Sequence, residues 1–159
     1  MWLEALARVR ASQDVETRLE AAEVFVAESG RCRLVDRVGE ARVRLRGGHH
    51  LEGVLGREPC VADHLVVEGA WWSLVPVAAV LSLTGSRPGL RSEAPERERT
   101  VASVLREMWQ EGVYVRALGS EGGSIAGPLH FVGADHVDLR TSSGTLSLPM
   151  RSVSAWMRA

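Results

Sequence analysis

The chain contains the same small β-module twice, and this repeat constrains its fold more than any other feature. Residues 40–47 correspond to residues 112–119, and residues 61–67 correspond to residues 133–139, both at an offset of 72. A third pair, residues 76–80 and 149–153, lies at an offset of 73. A repeat of this kind indicates one structural unit used more than once. The 159 residues therefore predict two very small domains rather than one ordinary domain.

The predicted organisation has four parts. Apolar residues at helical spacing between Val15 and Val26 predict an N-terminal helical segment. A stretch rich in Pro, Gly and mixed charge separates the two modules and predicts a linker. The boundaries are residues 1–30 for the helical segment, 31–84 for the first barrel, 85–98 for the linker and 99–159 for the second barrel.

Each module is predicted to hold one leading helix and five strands, separated by glycine-rich or polar turns. Residues 31–38 would form the first leading helix; the second would begin at the N-cap Thr100 and carry Val101, Val104, Leu105 and Met108 along one face. A single helical turn is expected at residues 76–79 and 149–152. The predicted strands are residues 42–46, 51–57, 65–68, 71–74 and 80–83, then 113–118, 124–130, 137–140, 145–148 and 153–157.

Composition limits the partners and the compartment. The net charge of −1 argues against a strongly electrostatic, non-specific nucleic-acid binder. All 19 basic residues are Arg, and Lys and Asn are absent, as a GC-rich coding sequence would produce. Cys32 and Cys60 stand alone without a paired spacing, which predicts reduced thiols and a cytoplasmic protein. The chain has no apolar run near the roughly 18 residues that span a bilayer and no secretory leader pattern, so no membrane partner is expected.

The pattern of each module resembles the Sm-like fold, an SH3-like small barrel that includes the Hfq branch. The first copy carries the matching residues at Gly53 in strand two, Asp63 before strand three, and residues 75–80 at the close. The second copy offers Gly127, Asp135 and residues 148–153 in the same roles. The resemblance implies two tandem five-stranded Sm-like barrels, each led by a short helix, in a mainly β protein with N-terminal helices. It covers residues 31–83 and 99–157.

The chain departs from the family where RNA would bind. The Lys-His pair that Hfq carries before its last strand corresponds here to Pro76-Val77 and Pro149-Met150. The polar amide expected near strand three is replaced by Asp-His in both copies. The chain is also similar to small proteins labelled Fis-type regulators. However, residues 15–38 offer an acidic helix followed by a short one, without the basic recognition helix of a helix-turn-helix.

Two Asp-His pairs form the most suggestive repeated constellation: Asp63-His64 and Asp135-His136. An imidazole there could stack on an RNA base while the carboxylate orients the ring or accepts a hydrogen bond from the base edge. Alternatively, the Asp caps a turn and the His begins a strand, which any repeat of the fold would copy. The structural interpretation is favoured.

Trp71-Trp72 and the arginines of strand one are the other candidate binding residues. Because adjacent strand residues face opposite sides, one of the two Trp side chains is expected outside the core, available for a protein partner, a base or the N-terminal helices. Arg42, Arg44 and Arg46 alternate with apolar residues and are predicted to share one face. That face is either a phosphate-binding surface or an ordinary solvated one.

Nothing in the sequence predicts catalysis, a cofactor or a metal. His49-His50 lies beside Gly47-Gly48 and predicts a hairpin tip rather than a zinc site, because no paired ligand spacing is present. Residues 119–124 lack the Lys-Ser/Thr ending of a phosphate loop and also predict a hairpin tip. No Ser/His/Asp or Cys/His set has a catalytic spacing.

Two functions therefore remain. The first is a non-enzymatic protein–protein adaptor or structural homo-oligomer that uses its sheet edges and Trp71/Trp72, since open edges need covering. The second is a diverged Sm-like RNA-binding protein or nucleic-acid-linked regulator that uses the Arg42/Arg44/Arg46 face and the Asp-His turns. In the first case, three chains could place six barrels in a ring.

Overall fold

The structure, a computed structural model, describes residues 33–57, 61–89 and 99–159. Residues Leu34–Ala159 form one compact unit. Its described part is mainly β, with eleven strands in a single antiparallel sheet that does not close, and one α-helix. The N-terminal helical segment predicted for residues 1–30 lies outside the described residues.

The first copy contributes six strands and the second copy five. In the first copy they are β1 (Arg37–Leu45), β2 (His50–Leu55), β3 (His64–Gly69), β4 (Trp72–Pro76), β5 (Val80–Thr84) and the short β6 (Arg87–Pro88). Helix α1 (Val101–Gln110) precedes β7 (Tyr114–Gly119), β8 (Ser124–Val132), β9 (His136–Thr141), β10 (Gly144–Pro149) and β11 (Val153–Arg158). All ten predicted strands are present, and β1 begins earlier than expected.

The strand order repeats between the copies. The sheet runs β10-β9-β8-β7-β11-β4-β3-β2-β1-β5, with β6 paired to β1 beside this path. Each copy thus has the order fourth, third, second, first, fifth, and β11 pairs with β4 where the two copies meet. The two copies therefore share one continuous sheet.

The turn that follows the fourth strand is the same in both copies. Pro76 and Pro149 have nearly identical backbone angles, φ −58° with ψ 132° and φ −59° with ψ 131°, and each precedes a single 3₁₀ turn. The Val77 amide donates to the Asp63 carbonyl at 2.9 Å, and the Met150 amide donates to the Asp135 carbonyl at 2.8 Å. The sequence repeat is thus matched by a repeat of backbone hydrogen bonds.

The strand-two glycines sit where backbones approach closely. A Cβ on Gly53 would lie 2.6 Å from the Glu68 carbonyl oxygen, and one on Gly127 would collide with the Arg140 carbonyl. Both neighbours belong to the third strand of the same copy. Only glycine allows this approach, and it permits the second strand to bend over the third.

The core forms two clusters, and each takes residues from both copies. One is built on α1 and the second copy, and it includes Leu74 of β4. The other is built on the first copy, and it includes Leu118, Ala155 and Met157 of β7 and β11. Neither copy completes its core alone, as expected for modules too small to be stable separately.

Two details differ from the predicted elements. The first leading helix is only a 3₁₀ turn at Leu34–Asp36, because the chain enters β1 at Arg37. The start of the predicted linker is ordered: β6 pairs with β1, and the Arg37 guanidinium donates to the Ser86 hydroxyl at 2.9 Å. The second leading helix matches expectation: the Thr100 hydroxyl accepts from the Ser103 amide, and Val104, Leu105 and Met108 are buried.

Candidate assembly site

The seam between the copies, defined as the pairing of β4 with β11, is a strand-to-strand contact. Trp156 lies opposite Leu74, and Met157 lies opposite Ser73. All four side chains are buried, including Ser73 at 1 % exposure. Beside the seam, the buried Ser154 hydroxyl of the second copy donates to the Arg46 carbonyl of the first at 2.9 Å. A fourth strand and a fifth strand of this fold are therefore complementary surfaces.

Two hairpin tips meet beside the seam. Gly47, with φ +84°, approaches the second copy so closely that a Cβ would lie 2.8 Å from the Gly122 amide. The ring of His49 bonds the Gly119 carbonyl through Nε2 at 3.0 Å, so Nε2 carries the hydrogen. The predicted hairpin tips at residues 47–50 and 119–124 are thus part of the contact between copies.

The remaining fourth and fifth strands form the two open edges of the sheet. Within the described part of the chain, β5 pairs only with β1, and β10 pairs only with β9. Neither strand carries a charged side chain. Each exposes a leucine: Leu81 of β5 is 54 % exposed and Leu146 of β10 is 39 % exposed. Edges without charge and with exposed apolar side chains are templates for pairing with another strand.

Trp71 and Trp72 lie at the turn into β4, next to the seam. Trp72 begins β4, is half-buried and packs against the core of the second copy. Trp71 precedes the strand and is 53 % exposed. Trp72 therefore packs inward and Trp71 lies at the surface, in the bend before β4 and not within the strand as predicted.

The face formed by Arg42, Arg44 and Arg46 is exposed, and the residues between them are buried. The Arg42 Nε lies 3.0 Å from the Glu52 carboxylate, and the Arg46 Nε donates to the Ala78 carbonyl at 3.1 Å. Among the described residues, none forms an ion pair or a hydrogen bond with the Arg44 side chain. The predicted shared face is present, but two of its three guanidinium groups already have protein partners.

The two Asp-His pairs share a backbone role and differ in their side chains. Asp63, at φ 51°, is in the left-handed region that Asp tolerates in turns. The His64 Nδ1 donates to the Ala62 carbonyl at 2.7 Å, whereas the His136 Nδ1 donates to the Asp135 carboxylate at 2.9 Å. That bond from His136 lowers the pKa of Asp135. The common feature is the Asp carbonyl, which accepts a backbone amide of the following 3₁₀ turn in both copies, whereas φ is positive at Asp63 and not at Asp135.

Burial gives His64 a pH-dependent effect on stability. Desolvation lowers the pKa of His64 below 6.5, so folding favours the neutral ring. The stability that depends on this neutral ring is fully present above pH 6.5 and is lost as the pH falls toward the lower pKa of the folded state. We expect the urea midpoint to drop between pH 7 and pH 5.5, and His64→Gln to reduce that drop. The exposed His50→Gln is the matched control and should leave it unchanged.

In the described ranges, no group of three or more His, Cys, Asp or Glu residues is placed to hold a metal ion. Cys32 and Cys60 lie outside these ranges. None of the described helices is both long and apolar enough to cross a membrane.

Sequence reasoning named the Trp pair and the arginines but missed Leu81 and Leu146. The sequence does show that residues 80–84 and 144–149 carry no charge. Edge strands that are protected from pairing usually carry charged side chains. Comparisons with protein-family models, with curated proteins and with solved structures find no match to this chain.

Proposed function

We propose that this protein is a non-enzymatic assembly module built on two tandem Sm-like barrels. Separate chains join edge to edge. In this arrangement β5 of one chain pairs with β10 of the next. This contact again joins a fifth strand to a fourth strand, as the seam does within the chain. The observation that carries the proposal is the composition of the two open edges, which lack charge and expose Leu81 and Leu146.

The sequence offset between copies defines the register of this pairing. At an offset of 73, Leu83 and Thr84 of β5 correspond to Trp156 and Met157, while Leu146 and Ser147 of β10 correspond to Ser73 and Leu74. Leu83 would therefore lie opposite Ser147 of the next chain, and Thr84 opposite Leu146. Within the seam the corresponding residues are buried, whereas Thr84, Leu146 and Ser147 are exposed. Pairing between chains would bury Thr84, Leu146 and Ser147 as the corresponding residues are buried in the seam.

Pairing of one edge with a different edge is head-to-tail, so it generates a closed ring or an open filament. A ring of six barrels would contain three chains and have three times the mass of the 17.3 kDa monomer. RNA binding through the arginine face is the second candidate. It is less supported, because Arg42 and Arg46 are engaged by Glu52 and Ala78.

The mass of the protein in solution tests the assembly. Light scattering of the full chain should give a mass of at least two chains of 17.3 kDa each. Leu146→Lys places a charge on the β10 edge and should give the monomer, because burying an unpaired ammonium between strands costs several kcal/mol. The matched control is Phe131→Lys, which changes an exposed apolar residue of β8, away from both open edges. A monomeric wild type, or a Leu146→Lys variant that keeps the full mass, would contradict the proposal.

A further inference from the structure

A cavity of about 290 Å³ opens beside the seam and takes its walls from both copies. The first copy contributes His49 and His50 from the β1–β2 hairpin and Trp71 from the turn into β4. The second copy contributes Arg116 and Leu118 of β7 and Met157 of β11. We call this cavity the seam pocket. Its volume is near the lower end of the range for small-molecule sites.

The chemistry of the seam pocket is aromatic and cationic. Trp71 presents an indole that is 53 % exposed. Arg116 is exposed, and among the described residues no ion pair involves its guanidinium. Two imidazoles complete the polar wall, and no acidic side chain is among the described lining residues. Such a site favours an anion that also has a flat apolar face.

We propose that the seam pocket binds a nucleotide, with its base stacked on the Trp71 indole and its phosphate held by Arg116. An indole gives any base a stacking surface, and a guanidinium matches the geometry of phosphate oxygens. Leu118 and Met157 add apolar side chains to the same lining. Neither the arginine face nor the Asp-His turns line this pocket, so the site differs from the RNA surfaces predicted from the sequence.

His49 also lines the seam pocket. Its Nε2 is committed to the Gly119 carbonyl at 3.0 Å, so in the neutral ring Nδ1 has no hydrogen and accepts. An acceptor of this kind pairs with an amino or imino N–H on a base edge. The bond to Gly119 also fixes the ring orientation, because it ties the hairpin tip of one copy to that of the other.

A titration followed by NMR tests the proposal, with adenosine monophosphate as the probe. The chain has five Trp residues, and Trp71→Phe identifies the indole N–H resonance of Trp71. Adenosine monophosphate should shift that resonance, and adenosine or inorganic phosphate alone should bind about tenfold more weakly or worse. Trp71→Ala and Arg116→Gln should each weaken binding by about tenfold. Trp109→Ala and Arg151→Gln change comparably exposed side chains elsewhere and should leave binding unchanged.

A six-nucleotide oligoadenylate distinguishes a free nucleotide from a nucleotide within a strand. Equal affinity for the hexamer and the monophosphate identifies a free nucleotide as the occupant, and affinity at least tenfold higher for the hexamer identifies a unit of a single strand. If neither probe shifts the Trp71 resonance, or if both bind Trp71→Ala as tightly as wild type, the proposal is wrong. The Leu146→Lys variant should bind as the wild type does, because the pocket lies within one chain. Failure of assembly and failure of nucleotide binding are therefore separable.

Discussion

Trp156→Ala is expected to lower the free energy of unfolding by about 3–5 kcal/mol, a large part of the 5–15 kcal/mol typical of a domain. Trp156 is 1 % exposed and lies in the middle of β11, opposite Leu74 on one side and Ala117 on the other. Truncation would leave a cavity at the seam, because the neighbouring side chains are already packed in the core. Urea unfolding followed by circular dichroism measures the loss.

The matched control is Trp109→Ala on helix α1. Trp109 is 39 % exposed and makes an edge-on contact with Phe131 at 6.0 Å, so its removal should cost less than that of the fully buried Trp156, with about 0.5–1.5 kcal/mol of the loss coming from the ring contact. Both variants should unfold in a single transition, because each of the two core clusters takes residues from both copies. Equal losses in the two variants, or a first copy that stays folded in Trp156→Ala, would mean that the seam does not unite the copies.

The strands could be predicted because their information is local. Alternation around Val43 gives the buried and exposed faces of β1, and Gly47-Gly48 marks the hairpin that follows it. The turn before strand three is marked by an Asp-His pair in both copies, at Asp63 and at Asp135, although only Asp63 has a positive φ. Periodicity and turn chemistry within a few residues were sufficient for both.

The seam could not be predicted, since it depends on contacts between distant segments. Ser73 and Ser154 are buried, although their hydroxyl groups would suggest surface positions. Their environment is decided by the partner strand, and pairing of β4 with β11 joins residues more than 80 positions apart. The repeat predicted equal copies; it did not reveal which fourth strand meets which fifth strand.

The sequence indicated one of the two main residues of the seam pocket, Trp71, and not the other, Arg116. Trp71-Trp72 drew attention because two adjacent aromatic side chains cannot both enter one core, and Trp71 does lie at the surface. Arg116 gave no such signal, because a single Arg on a strand is ordinary until the fold places it beside Trp71 and His49. The pocket combines a hairpin tip of the first copy with strands β7 and β11 of the second, so it exists only once the seam has formed.

Disulfide cross-linking between chains tests the proposed register, with Cys32 and Cys60 first replaced by Ser. A chain carrying Leu83→Cys and Ser147→Cys should form disulfide-linked multimers on oxidation, because directly opposed residues of antiparallel strands have Cα atoms about 4.5–5.5 Å apart, within disulfide reach. A ladder of sizes on a non-reducing gel would indicate an open filament, and one limiting size would indicate a closed ring. The control pair, Ser82→Cys with Ser147→Cys, is out of register by one residue and should link poorly, since neighbouring positions face opposite sides.

Mixing single variants distinguishes head-to-tail pairing from pairing of identical edges. Leu83→Cys alone and Ser147→Cys alone should remain unlinked, and an equal mixture of the two should give covalent dimers and nothing larger. This follows because each chain then offers one reactive edge, and β5 of one chain meets β10 of another. Dimers from Leu83→Cys alone would instead show that two β5 edges pair with each other. That result would overturn the repeated seam, because the contact inside the chain always joins a fourth strand to a fifth.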